Sequence, residues 1–312
     1  MTSVDLRWKK NVAAQDVEAV GAAGAAEIVI EPRTALDAAA CDLLARYSIT
    51  VRYAVANPVP GAQGAFESGD APEGGRTGRF FHSPKAQALK EEICAVGRKL
   101  WLRGFVDGNG GNISCRVGGD EVICTPTLFS KFDLTPDDLC LVDLEGNYLA
   151  GRERPTSEVR MHLVAYKNSP QAKAVVHCHP PHATAYAICG HVPPSALSSE
   201  FDVFIGRVAL AQYETPGTMA FAETVRPYVE HHNAILLANH GVVCWADTPT
   251  HAEWYVENLE SYCQTFLITR QLGVPCSSIP SAKVEELRVT RRRLGLPDSN
   301  GDSESAPVPV LS

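Results

Sequence analysis

Two histidines separated by one residue, His177 and His179, are the strongest candidates for metal chemistry in this sequence. They end the apolar run AKAVVHCH, whose length and composition predict a buried strand. Alternate residues of a strand point to the same face, so the two imidazoles would lie side by side, as ligands of a first-row divalent metal do. Cys178 would point into the packed interior. Two ordinary polar residues at a strand end would show the same pattern, so the pair alone does not establish a metal site.

A third imidazole is supplied by His240, within the apolar run AILLANHGVVCW, which we interpret as one further strand. A histidine among apolar residues is costly unless it is hydrogen-bonded or bound to a metal. A satisfied core histidine is the simpler interpretation of His240 alone. Together, His240, His177 and His179 predict a three-histidine metal site with an open coordination position. Three other histidines receive no metal role in this prediction: His162, His231 and His232.

An acid and two hydroxyls stand together in the segment Thr156-Ser157-Glu158. Hydroxyls at a cap and an acid in the first turn are typical of a helix that starts near Thr156, and capping alone would explain them. The functional alternative is that exposed amides and hydroxyls of this segment bind a phosphate. Glu158 would then reach a metal-bound substrate as an acid or base.

A Gly-rich turn, GNGGNIS, occupies residues 108–114 immediately before a predicted strand. Its backbone amides could approach an anion closely, or the glycines could serve only to form a tight loop. The turn matches neither the GxGxxG pattern of dinucleotide-binding proteins nor the GxxxxGK[ST] pattern of a P-loop. It is therefore a candidate anion site of another type.

Strands and helices alternate along the larger part of the chain, which predicts an α/β or α+β fold. A first helix is indicated near residue 82, because Leu89, Ile93, Val96 and Leu100 fall on one stripe. Strands are predicted at GGNISCRV, DEVICTP, DLCLVDL and AKAVVHCH. Further helices are predicted at PHATAYAI and THAEWYVENLESYCQTFLITRQLG.

Composition divides the chain into four zones. Residues 1–56 predict a small strand–helix–strand unit with Thr34 as the helix cap, too short to bury much core by itself. Residues 57–81 are rich in Gly and Pro and predict a flexible linker. Residues 82–294 are predicted to form the main domain, and the polar tail 295–312 is predicted to be disordered.

Charge and composition argue against several classes of protein. The 312 residues carry 28 Lys and Arg against 36 Asp and Glu, a net charge of −8, so no nucleic-acid partner is expected. No apolar run reaches the roughly 20 residues that span a bilayer, and the N-terminus lacks the apolar segment of a signal peptide. We therefore expect a cytoplasmic protein with no membrane partner. The ten cysteines form no CxxC pair and are expected to be small buried residues in a reducing compartment.

Five sequence blocks, GNGGNIS, TPT, PTSE, VVHCHPPHA and ANHGVV, together resemble the class II aldolase/adducin family. The blocks occur in the family's order over residues 85–275. The resemblance implies a three-layer fold in which a central, mostly antiparallel β-sheet is flanked by helices. It also implies a homotetramer with sites between subunits. Residues 82–294 would then be a class II aldolase-like catalytic domain, with residues 1–56 as a small N-terminal extension.

The resemblance assigns a role to each candidate residue. It implies that Zn²⁺, or another divalent first-row metal, is bound by His177, His179 and His240, and that Glu158 is the catalytic acid/base. The family's phosphate-binding positions match six residues of this chain: Gly111, Asn112, Thr127, Leu128, Thr156 and Ser157. The residues agree with this assignment, because a dication beside a developing oxyanion acts as a Lewis acid.

Two departures from the family's pattern bear on the substrate. Leu128 stands where the family usually has a glycine whose amide approaches phosphate, so the pocket could be narrower or the loop reshaped, with Ser130 or Lys131 compensating. The tyrosine that follows the HxH motif in the fuculose aldolases has no counterpart in SALSSEFDVF. Glu200 and Asp202 are the local candidates for protonating the leaving aldehyde oxygen in its place.

The activity implied by the resemblance is a zinc-dependent retro-aldol cleavage. The substrate would be a phosphorylated sugar, L-fuculose 1-phosphate or L-rhamnulose 1-phosphate, and the products dihydroxyacetone phosphate and lactaldehyde. A pentulose-5-phosphate 4-epimerase, with Asp202 in an acid/base role, is one alternative, and a non-catalytic adducin-like interaction module is another. A decarboxylase or dehydratase acting on a related sugar acid is also compatible with the metal site.

Residues 1–56 lie outside the family and resemble short segments found on enzymes of bacterial microcompartments. HCHPPHATAYAI and YETPGTMAFAETV are also similar to microcompartment-associated class II aldolases. An amphipathic helix on a Gly/Pro linker is suited to docking on a shell or cargo partner, which would place the protein inside such a compartment. The alternative is an appendage that only packs on the tetramer.

Overall fold

The computed structural model describes residues 3–6, 9, 11–30, 35–53 and 80–297. They belong to two units, Met1–Glu67 and Ser68–Ser312, each of which is described by itself. The predicted linker 57–81 and tail 295–312 lie outside the described residues, except for residues 80–81 and 295–297. None of the described helices is long and apolar enough to cross a membrane.

A parallel three-stranded sheet with two helices forms the N-terminal unit. Its elements in chain order are β1 (Ser3–Asp5), β2 (Asn11–Val12), α1 (Ala14–Ala22), β3 (Glu27–Ile30), β4 (Ala35–Leu36), α2 (Ala38–Tyr47) and β5 (Thr50–Tyr53). β3 pairs with β1 on one side and β5 on the other, and the short strands β2 and β4 pair separately. Both helices and β3 contribute buried apolar residues to one core: Val17, Val20, Ile28, Ile30, Ala40 and Leu44.

The predicted strand, helix and strand are present in this unit as β3, α2 and β5. The prediction was incomplete, because the unit also contains α1 and β1, and its three paired parallel strands and two helices have a core of their own. α1 escapes detection because Ala and Gly dominate it and weaken the apolar periodicity. Leu36, which apolar spacing assigns to the helix, lies in β4, because Asp37 is the N-cap and accepts a hydrogen bond from the Ala40 amide at 2.6 Å. The predicted cap, Thr34, lies outside the described residues.

An eight-stranded, mostly antiparallel sheet forms the centre of the C-terminal unit, which confirms the predicted fold class. Its strands in chain order are β6 (Asn112–Gly118), β7 (Glu121–Cys124), β8 (Cys140–Asp143), β9 (Tyr148–Ala150), β10 (Ala174–Cys178), β11 (Ala209–Ala211), β12 (Ala234–Leu237) and β13 (Gly241–Ala246). Their order across the sheet is β11-β12-β13-β10-β6-β7-β8-β9. The pair β11–β12 is parallel, and the other pairs in this sheet are antiparallel.

Helices cover both faces of this sheet. In chain order they are α3 (Pro84–Leu102), α4 (Val159–Asn168), α5 (Pro181–Cys189), α6 (Ser199–Phe204), α7 (Met219–Glu223), α8 (Pro249–Gln271) and α9 (Ser281–Arg293). α8 packs on β10 and β13 and against α3 and α5, whereas α4 packs on β6 and against α7. The stripe predicted for α3 is confirmed, since Ile93, Val96 and Leu100 are buried.

Alternation along β10 separates the apolar core from the candidate site. Cys178 is buried in the core that α3, α5 and α8 share with the sheet, which confirms that it points into the interior. His177 points to the opposite face, where it lies in register with Asn112 of β6 and Val243 of β13. The same strand therefore supplies both a core residue and a candidate metal ligand.

The run AILLANHGVVCW is a hairpin of β12 and β13, so the prediction of a single strand is wrong. The turn forms at Asn239, whose φ of 56° lies in the left-handed region that asparagine tolerates better than most residues. The His240 amide donates to the Leu237 carbonyl at 3.0 Å and closes the turn. Apolar periodicity did not reveal the turn, because apolar residues flank it on both sides. The hairpin brings His240 to the end of the sheet where β10 also ends.

The helix predicted near Thr156 begins at Val159, with Glu158 at its N-cap. Thr156 stays outside the helix because its amide donates to the Thr125 carbonyl at 3.0 Å. An isolated bridge between Pro126 and the residue before Thr156 continues this pairing. Residues 155–156 of the PTSE segment therefore lie extended beside the TPT segment, and residues 157–158 form a turn that leads into α4.

Candidate metal centre and active site

Three histidines from three parts of the C-terminal unit converge at one end of the sheet. His177 is on β10, His179 follows that strand, and His240 lies in the turn between β12 and β13. One ring nitrogen of each is available as a ligand, and these atoms all lie within 4.8 Å of one another. The Nε2 atoms of His177 and His179 are 3.2 Å apart. The structure thus brings together the three residues that the sequence proposes as metal ligands.

Hydrogen bonding sets the orientation of the His177 ring. Its Nδ1 lies 2.8 Å from the Val242 carbonyl oxygen, which can only accept, so Nδ1 carries the proton and Nε2 presents a lone pair to the cluster. The ring is fully buried. Burial and the neighbouring His179 and His240 rings hold the pKa of His177 well below its ordinary value. His177 is therefore a neutral imidazole with its free nitrogen directed at the other two histidines.

The other two histidines have the same electrostatic character. Burial lowers the pKa of His179, an effect that Asp107 opposes from 3.7 Å. Burial lowers the pKa of His240 to about 4. The Nδ1 of His240 is buried and has no hydrogen-bond partner among the described residues, whereas its Nε2 faces Glu158. Three neutral imidazoles around one point fit a first-row divalent cation.

Glu158 lies against this cluster from the N-terminus of α4. Its carboxylate oxygens are 3.3 Å from His177 Nε2 and 3.5 Å from His240 Nε2. Burial raises the pKa of the Glu158 carboxyl, and the hydrogen bond from Asn112 Nδ2 at 2.7 Å opposes that rise. A nearly buried carboxyl beside three histidines can exchange a proton with a substrate bound there.

Two glycines allow the segments of this site to approach one another. Gly111 has a φ of +71°, and a Cβ there would lie 2.8 Å from the His177 carbonyl oxygen. A Cβ at Gly241 would lie 2.5 Å from the Cys178 carbonyl oxygen and 2.6 Å from His179 Cδ2. The Gly-rich turn and the hairpin can therefore pack against the end of β10 only because these positions lack side chains.

A family model matches the part of the chain that carries this geometry. The model is the class II aldolase and adducin N-terminal domain, and it matches residues 91–267, more than half of the chain. The matched range includes the three histidines and Glu158. The chain belongs to this family.

Curated relatives of this class II aldolase family member include aldolases and decarboxylases. The 5-deoxy-D-ribulose 1-phosphate aldolase of Bacillus thuringiensis is 33% identical over 204 residues, which are 64% of this chain and 94% of that protein. The 3-oxo-tetronate 4-phosphate decarboxylase of Haemophilus influenzae is 33% identical over 183 residues, 57% of this chain and 87% of that protein. Both kinds of relative are enzymes, and this chain is an enzyme of the same type, with a class II aldolase-like activity.

A solved L-fuculose 1-phosphate aldolase has the same fold. The two structures superimpose with a TM-score of 0.61 at 27% sequence identity. The aligned part is 67% of this chain and 97% of the aldolase chain. The mixed helix and sheet architecture of the C-terminal unit, with a central antiparallel sheet flanked by helices, is therefore that of the class II aldolases.

Positions that correspond to the family's phosphate-binding residues are brought together here. The amide of Thr127 donates to the Arg154 carbonyl at 2.9 Å, so the TPT and PTSE segments lie side by side. Thr156 is buried and Ser157 is exposed. Asn112, in contact with Glu158, is the neighbour of Gly111 in the Gly-rich turn. Three short segments, with the hydroxyls of Thr127, Thr156 and Ser157, thus meet at the end of the sheet.

Leu128, at the position where the family usually has glycine, has a backbone conformation that glycine adopts without strain. Its φ is 62°, in the left-handed region, and its side chain is 68% exposed. A leucine in this conformation is strained, because its Cβ approaches the following carbonyl oxygen. The loop therefore retains the local fold that a glycine would permit, at a cost in stability.

Lys131 connects the two loops that flank the site. It is 1% exposed, and its Nζ donates to the carbonyls of Asn109, in the Gly-rich turn, and Phe129, in the loop that follows Thr127. Burial lowers the pKa of Lys131 to about 8. Lys131 therefore holds the Gly-rich turn and the loop after Thr127 together.

Glu200 and Asp202 lie outside the histidine cluster. Both oxygens of Asp202 accept hydrogen bonds from the Ala196 amide, at 2.9 and 3.0 Å, in the loop before α6. Glu200 is exposed on α6. Among the described residues, neither carboxylate forms a hydrogen bond or an ion pair with the three histidines. Asp202, on α6, therefore holds the loop that precedes this helix.

Sequence reasoning missed a set of buried polar residues behind Glu158. The side chain of Asn112 contacts His162 on α4, and His162 contacts Ser114 on β6, which in turn contacts Tyr166. Spacing could have revealed them. Asn112 and Ser114 are two apart on one strand, while Glu158, His162 and Tyr166 are spaced by four, as on one helix face.

Proposed function

We propose that the protein is a Zn²⁺-dependent lyase that cleaves a deoxy-ketose 1-phosphate, L-fuculose 1-phosphate or L-rhamnulose 1-phosphate, to dihydroxyacetone phosphate and lactaldehyde. The observation that carries the proposal is the contact of Glu158 with His177 and His240, at 3.3 and 3.5 Å. It puts one buried acid next to three neutral imidazoles. Membership of the class II aldolase family and its aldolase relatives support the same chemistry.

His177, His179 and His240 would hold the Zn²⁺ ion. When bound, the ion supplies Lewis-acid stabilisation of negative charge on the substrate's oxygens. The single Nε2 lone pair that His177 can offer, together with the neutral state of all three rings, supports this role. Zinc is proposed over other first-row ions because a three-histidine set with an open position is typical of catalytic zinc.

Glu158 would handle the proton at the reacting carbon. In the cleavage, the C3–C4 bond breaks and its electron pair stays with dihydroxyacetone phosphate, while the C4 hydroxyl loses its proton and becomes the carbonyl of lactaldehyde. Glu158 delivers a proton to the carbon that keeps the electron pair, and water accepts the proton of the hydroxyl. The raised pKa of the buried Glu158 carboxyl supports its holding a proton for this step.

The substrate phosphate would bind where the three loops meet. We assign it to Gly111 and Asn112 of the Gly-rich turn and to the hydroxyls of Thr127, Thr156 and Ser157, since the amides of Thr127 and Thr156 already donate to backbone carbonyls. Their proximity to one another and the buried cation of Lys131 behind the loops support an anion there. Leu128 keeps the left-handed backbone at the position of the family's glycine, which supports retention of the phosphate loop.

A second candidate is decarboxylation of a phosphorylated 3-oxo sugar acid. A relative with that activity is as similar to this chain as the aldolase is, at 33% identity. Decarboxylation also needs only one proton donor, and Glu158 is the buried carboxyl in contact with the cluster. The epimerase alternative needs Asp202 as an acid or base, and its support is weaker because Asp202 forms no hydrogen bond or ion pair with the three histidines among the described residues. The non-catalytic alternative is disfavoured because the three candidate metal ligands and Glu158 are all present.

We further propose that the enzyme is a homotetramer with sites between subunits, as the family resemblance implies. The cytoplasm is the proposed location. Residues 1–56 are proposed to dock on a microcompartment shell or cargo partner, which would place the enzyme inside a bacterial microcompartment. The separate core of the N-terminal unit supports treating it as an independent element.

The test is product release from purified enzyme, with and without a chelator. L-Fuculose 1-phosphate and L-rhamnulose 1-phosphate are assayed for dihydroxyacetone phosphate, and 3-oxo-tetronate 4-phosphate is assayed for CO₂. Chelator-sensitive release of dihydroxyacetone phosphate from either sugar is the expected result. Release of CO₂ alone would replace the aldolase proposal with the decarboxylase. No turnover of any of the three by zinc-loaded protein would overturn both.

A further inference from the structure

A continuous row of buried polar side chains leads from Glu158 into the space between β6 and α4. Asn112 Nδ2 is 2.7 Å from Glu158 Oε2, and Asn112 Oδ1 is 2.6 Å from His162 Nε2. His162 Nδ1 is 2.7 Å from Ser114 Oγ, which is 2.6 Å from Tyr166 Oη. We call these five residues and their four hydrogen bonds the polar row.

The carboxylate at one end gives the polar row a direction. The amide nitrogen Nδ2 of Asn112 can only donate, so Glu158 Oε2 accepts from it and Asn112 Oδ1 is left as an acceptor. His162 then donates through Nε2, which leaves its Nδ1 as the acceptor for the Ser114 hydroxyl. Ser114 in turn accepts from Tyr166. Every donor therefore points towards Glu158, and His162 is restricted to the neutral tautomer that carries its proton on Nε2.

Because the side chains of the polar row are buried, they can satisfy their hydrogen-bonding groups only through one another. His162 and Ser114 are fully buried, and Tyr166 and Asn112 are 2% and 5% exposed. A buried polar group without a partner costs free energy, so breaking one bond leaves two groups unsatisfied. Burial lowers the pKa of His162 to about 3, which keeps the ring neutral at the pH where the enzyme works. The polar row therefore has one arrangement of protons.

Two features limit what the polar row can do. It does not end on a metal ligand, since its contact with the cluster is through Glu158. It also contains the amide of Asn112, and a primary amide does not readily relay protons between neighbours. Orientation of the carboxyl is the remaining role.

We propose that His162 is a positioning residue that acts through Asn112 to hold the Glu158 carboxyl in its reactive orientation. The proton on Nε2 fixes the rotamer of the Asn112 amide, with Nδ2 on Glu158 and not Oδ1. Without that constraint the amide can turn over and place an oxygen against the carboxylate, which repels it. The inference rests on the proposed function in that Glu158 is taken as the catalytic acid.

The expected effect is on turnover and not on substrate or metal binding. Changes to groups that orient an active-site ligand typically cost about 10- to 100-fold in activity. His162→Leu should therefore lower kcat by about that factor, leave KM within about two-fold, and keep bound zinc at the wild-type level. His162→Gln retains an N–H that can reach Asn112 Oδ1, so it should recover much of the lost kcat.

The experiment compares kcat, KM, zinc content and Tm of His162→Leu, His162→Gln and Ser114→Ala with those of a control. Val164→Ala is the control, because it truncates a buried residue of the same helix outside the polar row. Equal loss of kcat in Val164→Ala at a similar Tm would show that instability alone is responsible. An equal loss of kcat in His162→Gln and His162→Leu would show that the N–H at this position does not hold Asn112, which also overturns the proposal. Unchanged kcat in His162→Leu would overturn the proposal directly.

A crystal structure of the His162→Leu protein, or of Ser114→Ala if the first does not fold, separates this inference from the proposed activity. It needs no substrate. The expected result is an Asn112 side chain that has moved away from Glu158 Oε2, because an amide oxygen turned towards the carboxylate is repelled. An Asn112–Glu158 hydrogen bond identical to that of the wild type would overturn the inference, even if the aldolase proposal holds.

Discussion

Glu158 is the residue on which the proposed chemistry depends most directly. Glu158→Gln removes the proton-exchanging group but keeps its size, and the three histidines remain. Because a positioned acid or base contributes about 100-fold or more, kcat should fall by at least that factor while zinc stays bound. Metal analysis and steady-state kinetics on the same sample check this. Near-normal turnover would remove Glu158 from the mechanism.

The Leu128→Gly variant tests how the Leu128 side chain affects stability and substrate binding in the proposed phosphate loop. Its left-handed backbone costs a leucine about 1 kcal/mol, which a glycine avoids. Leu128→Gly should therefore raise the free energy of unfolding by about 1 kcal/mol and lower KM for a phosphorylated substrate, because the amide becomes more accessible.

Ala196 is the matched control for this change, since its φ of 64° is also left-handed and it lies in another loop. Ala196→Gly should give a similar stabilisation with no change in KM. Urea unfolding and initial rates measure both effects. A KM shift of the same size in the two variants would contradict a specific role for the Leu128 loop.

At the scale of elements, the β12–β13 hairpin carries His240 and contacts His179 through Gly241. Gly241 lets it pack against the end of β10, and a Cβ there would lie 2.6 Å from His179 Cδ2. Gly241→Ala should displace the His179 or His240 ring and weaken zinc binding by about 10- to 100-fold, as misplaced ligands do.

A glycine in open space provides the comparison for Gly241→Ala. Gly190 ends α5 with a φ of +69°, and a Cβ there would meet nothing within 4 Å. Gly190→Ala should cost about 1 kcal/mol of stability through backbone strain and leave zinc affinity unchanged. Competition with a chromogenic chelator measures the affinities. Wild-type zinc affinity in Gly241→Ala would mean that the hairpin adapts without moving its ligands.

At the scale of the whole molecule, the buried histidines link stability to pH. The pKa of His162 is lowered to about 3 from 6.5, so the unfolded chain binds more protons than the folded protein between those values. The free energy of unfolding should therefore fall as pH falls through that window, and His240, with a pKa of about 4, adds in the same direction.

Urea unfolding of metal-free protein at about pH 7.5 and about pH 5 measures this slope. His162→Gln replaces the titrating ring with a group that does not ionise, so its stability should depend less steeply on pH. The comparison uses slopes, because the variant is also expected to be less stable at every pH. Parallel slopes in the two proteins would contradict the assignment of acid sensitivity to His162.

The two units of the chain have separate cores, which predicts that the catalytic part does not need the N-terminal one. Deletion of residues 1–56 should leave kcat, zinc content and oligomer size unchanged if that segment serves only for docking. Size-exclusion chromatography with light scattering, together with kinetics, tests this. Collapse of the oligomer on deletion would favour a packing role for the segment.

The sequence by itself determined much of the architecture, because apolar periodicity reports which local segments are buried. It predicted the strand that carries His177, the opposite orientation of Cys178, and the long helices α3 and α8, although β10 ends at Cys178 and His179 lies just beyond it. Five blocks of residues also identified the family. It failed in the N-terminal unit, where small residues hide α1, and at Asn239, where apolar neighbours hide a turn.

Only the tertiary structure decided which distant residues act together. Asn112 and His162 are 50 positions apart in the chain, and no local pattern pairs them before β6 and α4 pack. The same packing makes Glu158 a neighbour of His240, whereas Asp202 is engaged by the Ala196 amide in the loop before α6. Periodicity reports whether a side chain is buried, but its chemical role depends on the groups that the fold places within hydrogen-bond distance of it.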